Sequence, residues 1–443
     1  MTELFGVSAP TSPASHLVHS GTGRHLFVPN GSRLYDIDEA TWDLVRGLES
    51  AGDERELTGL LARLGVDAPP YVDDTPYPAG APVHALSLAV AAKCNLGCTY
   101  CYADGGSFGG PATTMSEATA LAAVDILLAR AVPGERFNLA FMGGEPLLNR
   151  DVLRAATERA YVLAAERGVD VGFSITTNGT RVTPDDGDFF EEYGFAVTVS
   201  VDGIGAVHDR LRPFLGGQGS FDRIVDRITP LLRGQRRMQV SARVTVTPTN
   251  LRLVETLDQL IGLGFHSVGF SPLLRSPTGQ DELGRPELGA MLDQMVACGA
   301  EFERRLVAGE RYPFANAVNA LRELHRGTHR PYPCGAGAGY LGVAGDGELS
   351  ACHRFVGDPG ASFGSVTAGV DQRRRLRWLD ERHVHRQQPC ASCWARYLCG
   401  GGCHHEVIAR GRAACDYIRG WLHWSIGAYA RLSVARPDYF SSS

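Results

Sequence analysis

Residues 86–101 read LSLAVAAKCNLGCTYC. The first six are apolar or small, and their length suits one buried strand. Cys94, Cys98 and Cys101 follow at once, spaced C-x3-C-x2-C. Three thiolates on one short loop can hold three irons of a [4Fe–4S] cluster and leave the fourth iron open to an outside molecule. Zinc is the alternative reading of the same cysteines. Structural zinc sites usually want four ligands in paired C-x2-C form, and this segment offers three.

Downstream, apolar segments at 137–141, 171–176, 196–201, 239–246 and 267–270 read as strands. Helical patterns fall between and after them, at 116–131, 152–167, 221–232, 251–263 and 287–307. The first of these follows a capping-box pattern, Thr114-x-x-Glu117. Six βα units in series predict an α/β fold with a parallel sheet, curled into a partial (β/α)6 barrel. Polar motifs follow the strands at the face where barrels build active sites. They are Met142-Gly143-Gly144-Glu145-Pro146, Thr177-Asn178-Gly179-Thr180, and Ser200-Val201-Asp202-Gly203 with His208, Asp209 and Arg212 beyond it. The glycines permit close backbone approach, and Glu145 can pair with an ammonium. Each motif alone is ordinary loop chemistry; together at one barrel mouth they read as a binding site.

Before the barrel, residues 1–16 look like a flexible lead-in, with Ser8, Pro10, Ser12, Pro13 and Ser15. Segments 25–29 and 33–37 read as two short strands around Asn30-Gly31, followed by helices at 38–48 and 55–64. Residues 68–82 carry five prolines and read as a linker. From about residue 312 regular patterning fades into Gly, Pro, Cys and Arg until an amphipathic helix at 417–432. The division expected is a small α/β domain at 17–68, a linker at 69–84, the barrel at 85–311 and a cysteine-rich domain at 312–443.

The chain has 443 residues, a net charge of −6, 44% hydrophobic and 21% charged residues. That composition is ordinary for a globular protein and argues against a general nucleic-acid binder. No apolar run reaches the roughly 18 residues of a membrane span. Residues 1–13 lack the basic and apolar regions of a secretory signal, so a cytoplasmic location is expected. Thiols stay reduced there, and clustered cysteines read as ligands. The 11 cysteines divide into Cys94, Cys98 and Cys101, a C-terminal seven, and Cys298 alone. Cys298 sits in a helical pattern and reads as a buried structural thiol. Arg373–Arg375 with Arg377 reads as a solvated basic face.

The C-x3-C-x2-C loop with Tyr100 before its last cysteine resembles that of the radical S-adenosylmethionine (SAM) superfamily, over roughly residues 86–270. The resemblance implies that the open iron binds SAM through its amino and carboxylate groups. SAM is then cleaved to a 5′-deoxyadenosyl radical that abstracts hydrogen from substrate, which makes Cys94, Cys98 and Cys101 the catalytic cysteines. By the same resemblance, Met142, Gly143, Gly144 and Glu145 contact the SAM amino group. Asn178 joins the cofactor-binding set, and Ser200 and Arg212 are candidates for the carboxylate.

The seven C-terminal cysteines lie in the order Cys334, Gly347-x4-Cys352, Cys390-x2-Cys393-x5-Cys399-x3-Cys403 and Cys415. They resemble the SPASM domain, the auxiliary-cluster extension of peptide-modifying radical SAM enzymes. The family's interleaved connectivity implies one cluster on Cys390, Cys393, Cys399 and Cys415, and another on Cys334, Cys352 and Cys403. Three [4Fe–4S] clusters and SAM are the expected cofactors. Some members add a cysteine between the first two ligands; residues 335–351 contain none, which leaves that cluster's fourth ligand open. Paired zinc knuckles are the alternative for this group.

The N-terminal segment resembles the small winged-helix-like element that captures leader peptides by adding them as a strand. Cys352-His353-Arg354-Phe355-Val356-Gly357 resembles maturases that join a substrate cysteine to a carbon of another residue. The expected function is therefore maturation of a ribosomally made precursor peptide by an intrapeptide crosslink, thioether favoured over C–C or C–O. A flavodoxin or ferredoxin is the expected reductant. A sulfatase-type maturase, making formylglycine, is the alternative; those enzymes typically carry Asp where this chain has His353. A multi-cluster electron carrier is the non-enzyme alternative, and it leaves 142–146 without a purpose.

Overall fold

The structure is a computed structural model that describes residues 15–67, 71–110 and 113–441. Most of the expected lead-in, residues 1–14, and linker residues 68–70 lie outside the described residues.

The N-terminal part is a three-stranded antiparallel sheet in the order β1 (His16–Ser20), β2 (Gly23–Val28), β3 (Arg33–Ile37). Sequence reading found two strands and placed residue 16 in the lead-in. β1 is only five residues long and runs directly into a tight turn to β2, too short for alternation to show. Two helices follow. Asp38 caps Glu39–Ala51 by accepting from Thr41 N, and Asp53 caps Glu54–Arg63 by accepting from Glu56 N. Leu26 and Val28 of the sheet pack with Val45, Leu57, Leu60 and Leu61 of the helices. Val18 and Phe27 pack against Leu324, Leu398 and Ile426, which seats the sheet on the C-terminal part of the chain. Among the described residues β3 pairs only with β2, so its outer edge is open.

The centre is six parallel strands in chain order: β4 (Ala85–Ala91), β5 (Arg136–Gly143), β6 (Asp170–Thr177), β7 (Ala196–Ser200), β8 (Gln239–Val246) and β9 (Ser267–Pro272). β9 does not return to β4, so the barrel is open, as six βα units predict. On β8, Val240, Ala242, Val244 and Val246 are buried and share the core with Leu253, Leu257 and Leu260 of the following helix. Ser241, Arg243 and Thr245 alternate with them and face the barrel interior. The helix expected after the Thr114 capping box starts at Glu117. Its cap is Ser116, whose Oγ accepts from Thr119 N at 3.1 Å.

The C-terminal part extends this same sheet. β10 (Tyr340–Val343) pairs parallel with β4, and β11 (Glu348–Ser350), β12 (Ser362–Ser365) and β13 (Gly369–Val370) continue antiparallel. These strands have two to four residues, too few for any periodicity to show in the sequence. The basic run at 373–377 lies in helix Gln372–Arg382 and is not wholly solvated. Arg375 is fully buried. Its guanidinium donates to the carbonyls of Gly337 at 2.7 Å, Ala81 at 2.9 Å and Ala338, tying the linker to the sheet extension. Helix Cys415–Ala435 is close to its predicted span. Among the described residues no helix is long and apolar enough to cross a membrane.

Candidate active site

Strand β4 ends at Ala91, and the cysteine loop leaves its C-terminal end. That loop is held from two sides. Gly97 N donates to Pro213 O at 2.8 Å and Thr99 N to Leu211 O at 3.2 Å, so it pairs with the segment after β7. On the other side the Gly143-Gly144 turn packs backbone against backbone. Gly144 N donates to Ala91 O at 2.8 Å and Glu145 N to Lys93 O at 2.9 Å. A Cβ on Gly144 would collide with Lys93 O and come within 2.7 Å of Gly105 O. Gly143 has φ 138°, and a Cβ there would collide with Ala91 O. The two glycines thus fix both the entry and the exit of the cysteine loop.

Glu145 is completely buried. Its carboxylate accepts from Thr177 Oγ1 at 2.8 Å, Leu147 N at 3.0 Å and Asn178 N at 2.8 Å. Burial pushes its pKa up, and those three donors and Arg212 oppose the shift. The ammonium pairing expected of Glu145 would have to compete with these donors; what the carboxylate does here is lock the end of β5 to the end of β6. Asn178 carries that lock to the cysteines, donating from Nδ2 to Asn95 Oδ1 at 3.0 Å and to Cys94 Sγ at 3.6 Å.

Tyr100 links the loop to β7. Its hydroxyl contacts Asp202 Oδ2 and accepts from Arg212 Nη1 at 2.6 Å. Arg212 and Asp202 are 3.6 Å apart, and Asp202 also accepts from Thr245 N at 2.7 Å. Burial pushes the Asp202 carboxyl up and Arg212 opposes it; burial pushes the Cys98 thiol up to about 11, again opposed by Arg212. Arg212, expected to meet a carboxylate, is therefore engaged with protein groups. Its Nε is buried without a partner among the described residues, so one donor remains. His208 is also structural. Its Nδ1 accepts from Asp202 N at 3.1 Å, so Nε2 carries the proton toward Ser220 Oγ at 3.1 Å, which donates to Arg212 O. Burial holds this imidazole down to about 3, hence neutral. Asp209 Oδ1 caps helix Phe221–Gly234 by accepting from Ser220 N and Phe221 N, both at 2.8 Å.

Ser200 closes β7 and stands in register with Arg243 of β8, which is in register with Gly269 of β9. Met142 lies at the end of β5 opposite Ala89 of β4. Sequence reading missed Arg243. Its surface opens onto the barrel interior, yet protein surrounds its charge; burial and Arg354 push its pKa down. Among the described residues it has no carboxylate partner. The legible signal was a lone cation on the non-apolar side of an alternating strand.

The seven C-terminal cysteines form two neighbourhoods. Cys390 is pushed up to about 11 by burial, with Cys399, Cys415 and Cys393 adding to the shift and Arg412 opposing it. Cys352 is pushed up to about 12 by burial, with Cys403 and Cys334 adding to it. Cys334 and Cys403 are exposed, and Cys352 is buried. Tyr102 spans from the first loop to this second neighbourhood. Its neighbours include both Cys101 and Cys352, and its ring lies 6.1 Å from His353 and 5.2 Å from the Arg354 guanidinium. His353 Nδ1 is 2.7 Å from Tyr340 Oη, which donates to Ser87 Oγ at 2.8 Å. Burial holds His353 down to about 3. Arg354 pairs with Glu406 at 2.8 Å. Cys298 is buried in helix Arg285–Val307, its thiol pushed up to about 12 by burial.

Residues 88–260 match the family model of the Radical SAM superfamily. The chain is 25% identical over 355 residues to the serine-type anaerobic sulfatase-maturating enzyme of Klebsiella aerogenes, covering 76% of this chain and 84% of that one. It is 32% identical over 157 residues to the cysteine-type anaerobic sulfatase-maturating enzyme of Clostridium novyi, covering 33% of this chain and 40% of that one. Among solved structures, native anSMEcpe with bound AdoMet superposes with a TM-score of 0.64 at 18% identity, covering 80% of this chain and 99% of that one. The same protein with AdoMet and the Cp18Cys peptide gives 0.63 at 19%, covering 80% and 99%. With its cysteine loop at the mouth of an open six-stranded barrel, this chain carries a radical SAM domain over residues 88–260.

Proposed function

We propose that this enzyme matures a ribosomally made precursor peptide by forming an intrapeptide crosslink, with a thioether from a substrate cysteine favoured and C–C or C–O bonds as variants. The observation that carries the reading is the meeting of the open barrel interior with the three-cysteine neighbourhood of Cys334, Cys352 and Cys403 across Tyr102. That neighbourhood offers three sulfurs and leaves a ligand position for something other than a cysteine of this chain. The relatives' names speak of sulfatase maturation, and one solved neighbour holds a peptide. Both support a peptidyl substrate. The open edge of β3 is suited to take a leader peptide as an added strand.

Three [4Fe–4S] clusters belong to this reading: one on Cys94, Cys98 and Cys101, one on Cys390, Cys393, Cys399 and Cys415, and one on Cys334, Cys352 and Cys403. The donor sets are all sulfur. All-cysteine donor sets in groups of three and four suit iron–sulfur clusters. When bound, the first cluster with SAM supplies a 5′-deoxyadenosyl radical that abstracts hydrogen from the substrate. The protein's part is to place and shield the reactants. The backbone at Gly143 and Gly144 would receive the SAM amino group, with Met142 beside it and Asn178 fixing the loop. Ser200, the spare donor of Arg212 and Arg243 would receive carboxylate. The reductant would be a flavodoxin or ferredoxin. Eleven unpaired cysteines suit a reducing compartment such as the cytoplasm.

Arg243→Ala is expected to weaken SAM or peptide binding by about 10- to 100-fold, the worth of a charged hydrogen bond of about 1.5–3 kcal/mol. Calorimetric SAM affinity and the peptide KM read it, with iron content unchanged. If both constants stay at wild-type values, Arg243 is not a carboxylate anchor.

The likeness to sulfatase-maturating enzymes over 76% of the chain favours formylglycine formation as a second reading. Mass spectrometry of a cysteine-containing precursor peptide, after incubation with enzyme, SAM and reductant, separates the two. Any of these crosslinks removes two hydrogens and leaves no aldehyde, and a thioether also consumes the thiol. A product that reacts with a hydrazide instead would establish formylglycine.

A further inference from the structure

We propose a fourth metal site, for a single divalent first-row cation such as zinc or ferrous iron, formed by Asp74, His383 and His385. It is independent of the iron–sulfur cysteines and of the reaction. Among the described residues this is the one group of three histidine, cysteine or acidic side chains whose ligand atoms all lie within 4.8 Å of one another. Two ring nitrogens and a carboxylate oxygen form the donor set typical of zinc or non-haem iron with positions left for water. A tetrahedral ion with bonds of about 2.0–2.1 Å would space such ligands by about 3.4 Å. His385 Nδ1 and Asp74 Oδ1 are already 3.0 Å apart.

The surroundings orient these side chains. His385 Nε2 is 2.9 Å from Tyr397 Oη, so its outer nitrogen is anchored to an oxygen. Histidines that ligate metals usually hold their other nitrogen in this way. His383 Nδ1 accepts from His385 N at 3.2 Å, which fixes the ring beside its neighbour; a metal ion on that nitrogen would replace this hydrogen bond. The two rings meet edge to face at 4.8 Å. The His383 and His385 side chains are nearly buried, while Asp74 keeps 30% of its side-chain surface, an opening for the ion and its water. Asp73, next in the chain and electrostatically coupled to His383, adds negative charge nearby. Asp74 comes from the proline-rich linker, and the histidines come from the turn before Cys390. A bound ion would therefore pin the linker to the segment that presents the cysteine quartet.

The test uses the full chain with its clusters reconstituted anaerobically, washed briefly with chelator, incubated with one equivalent of Zn2+ and desalted. Zinc and iron are then counted by mass spectrometry. The expected result is one zinc retained per wild-type chain, with its melting temperature raised. Asp74→Asn and His383→Gln are expected to lose that zinc while keeping wild-type iron content and visible absorbance. No retained zinc in the wild type, or equal zinc in wild type and both variants, would overturn the proposal. The second outcome would place the metal on other ligands. Both variants are judged on their iron content, so a misfolded protein is not mistaken for a lost site.

Discussion

Replacing Asp202 with alanine is expected to destabilise the protein by about 3–5 kcal/mol, the cost of stranding one member of a buried ion pair. Asp202 is fully buried and Arg212 nearly so. The carboxylate faces Tyr100 Oη and Arg212, and it accepts from Thr245 N at 2.7 Å. Its removal leaves a guanidinium without its counter-charge, a tyrosine hydroxyl without its acceptor and a buried backbone N–H without a partner. Because Tyr100 belongs to the cysteine loop, the same change should loosen that loop and lower SAM cleavage. Denaturant unfolding of the cluster-free chain measures the first effect, and 5′-deoxyadenosine release measures the second. Asp202→Asn keeps the shape and loses the charge, so an intermediate result is expected. A loss below about 1 kcal/mol for the alanine variant would mean that Arg212 finds its compensation elsewhere.

Gly144→Ala is expected to lower SAM cleavage by about 100-fold or more, since a displacement near 1 Å at reacting groups can cost that much. A Cβ there meets only backbone, Lys93 O and C and Gly105 O, and no flexible side chain can give way. The cysteine loop must move instead. Cys390, Cys393, Cys399 and Cys415 are carried by other elements, so the iron of that quartet should stay. Gly97→Ala is the control within the same loop. Its Cβ would meet Leu215 and Phe214 at 3.7–3.8 Å, ordinary contact, and activity close to wild type is expected. Equal activity in the Gly144 and Gly97 variants would show that the backbone clamp does not set the loop.

The barrel was legible because its strands are five to eight residues of apolar sequence and each is followed by a polar turn. The spacing of the first three cysteines is local and reads directly. What stayed hidden depends on long-range partners. Nothing near Tyr100 in sequence announces Asp202 and Arg212, about a hundred residues away. Glu145 reads from its charge as a partner for an ammonium; only packing shows that three donors are already on it. Arg375 looked solvated because it sits in a run of arginines, and its three carbonyl partners come from the linker and the sheet extension. The strands β10 to β13 are too short for periodicity, and their place follows from pairing with β4.

The three proposed clusters imply a definite iron content. Iron and acid-labile sulfide counted on the anaerobically reconstituted wild-type chain should give about twelve of each per chain, in keeping with three four-iron clusters. About four of each would leave only the cluster at the barrel mouth and would contradict the assignment of the seven C-terminal cysteines.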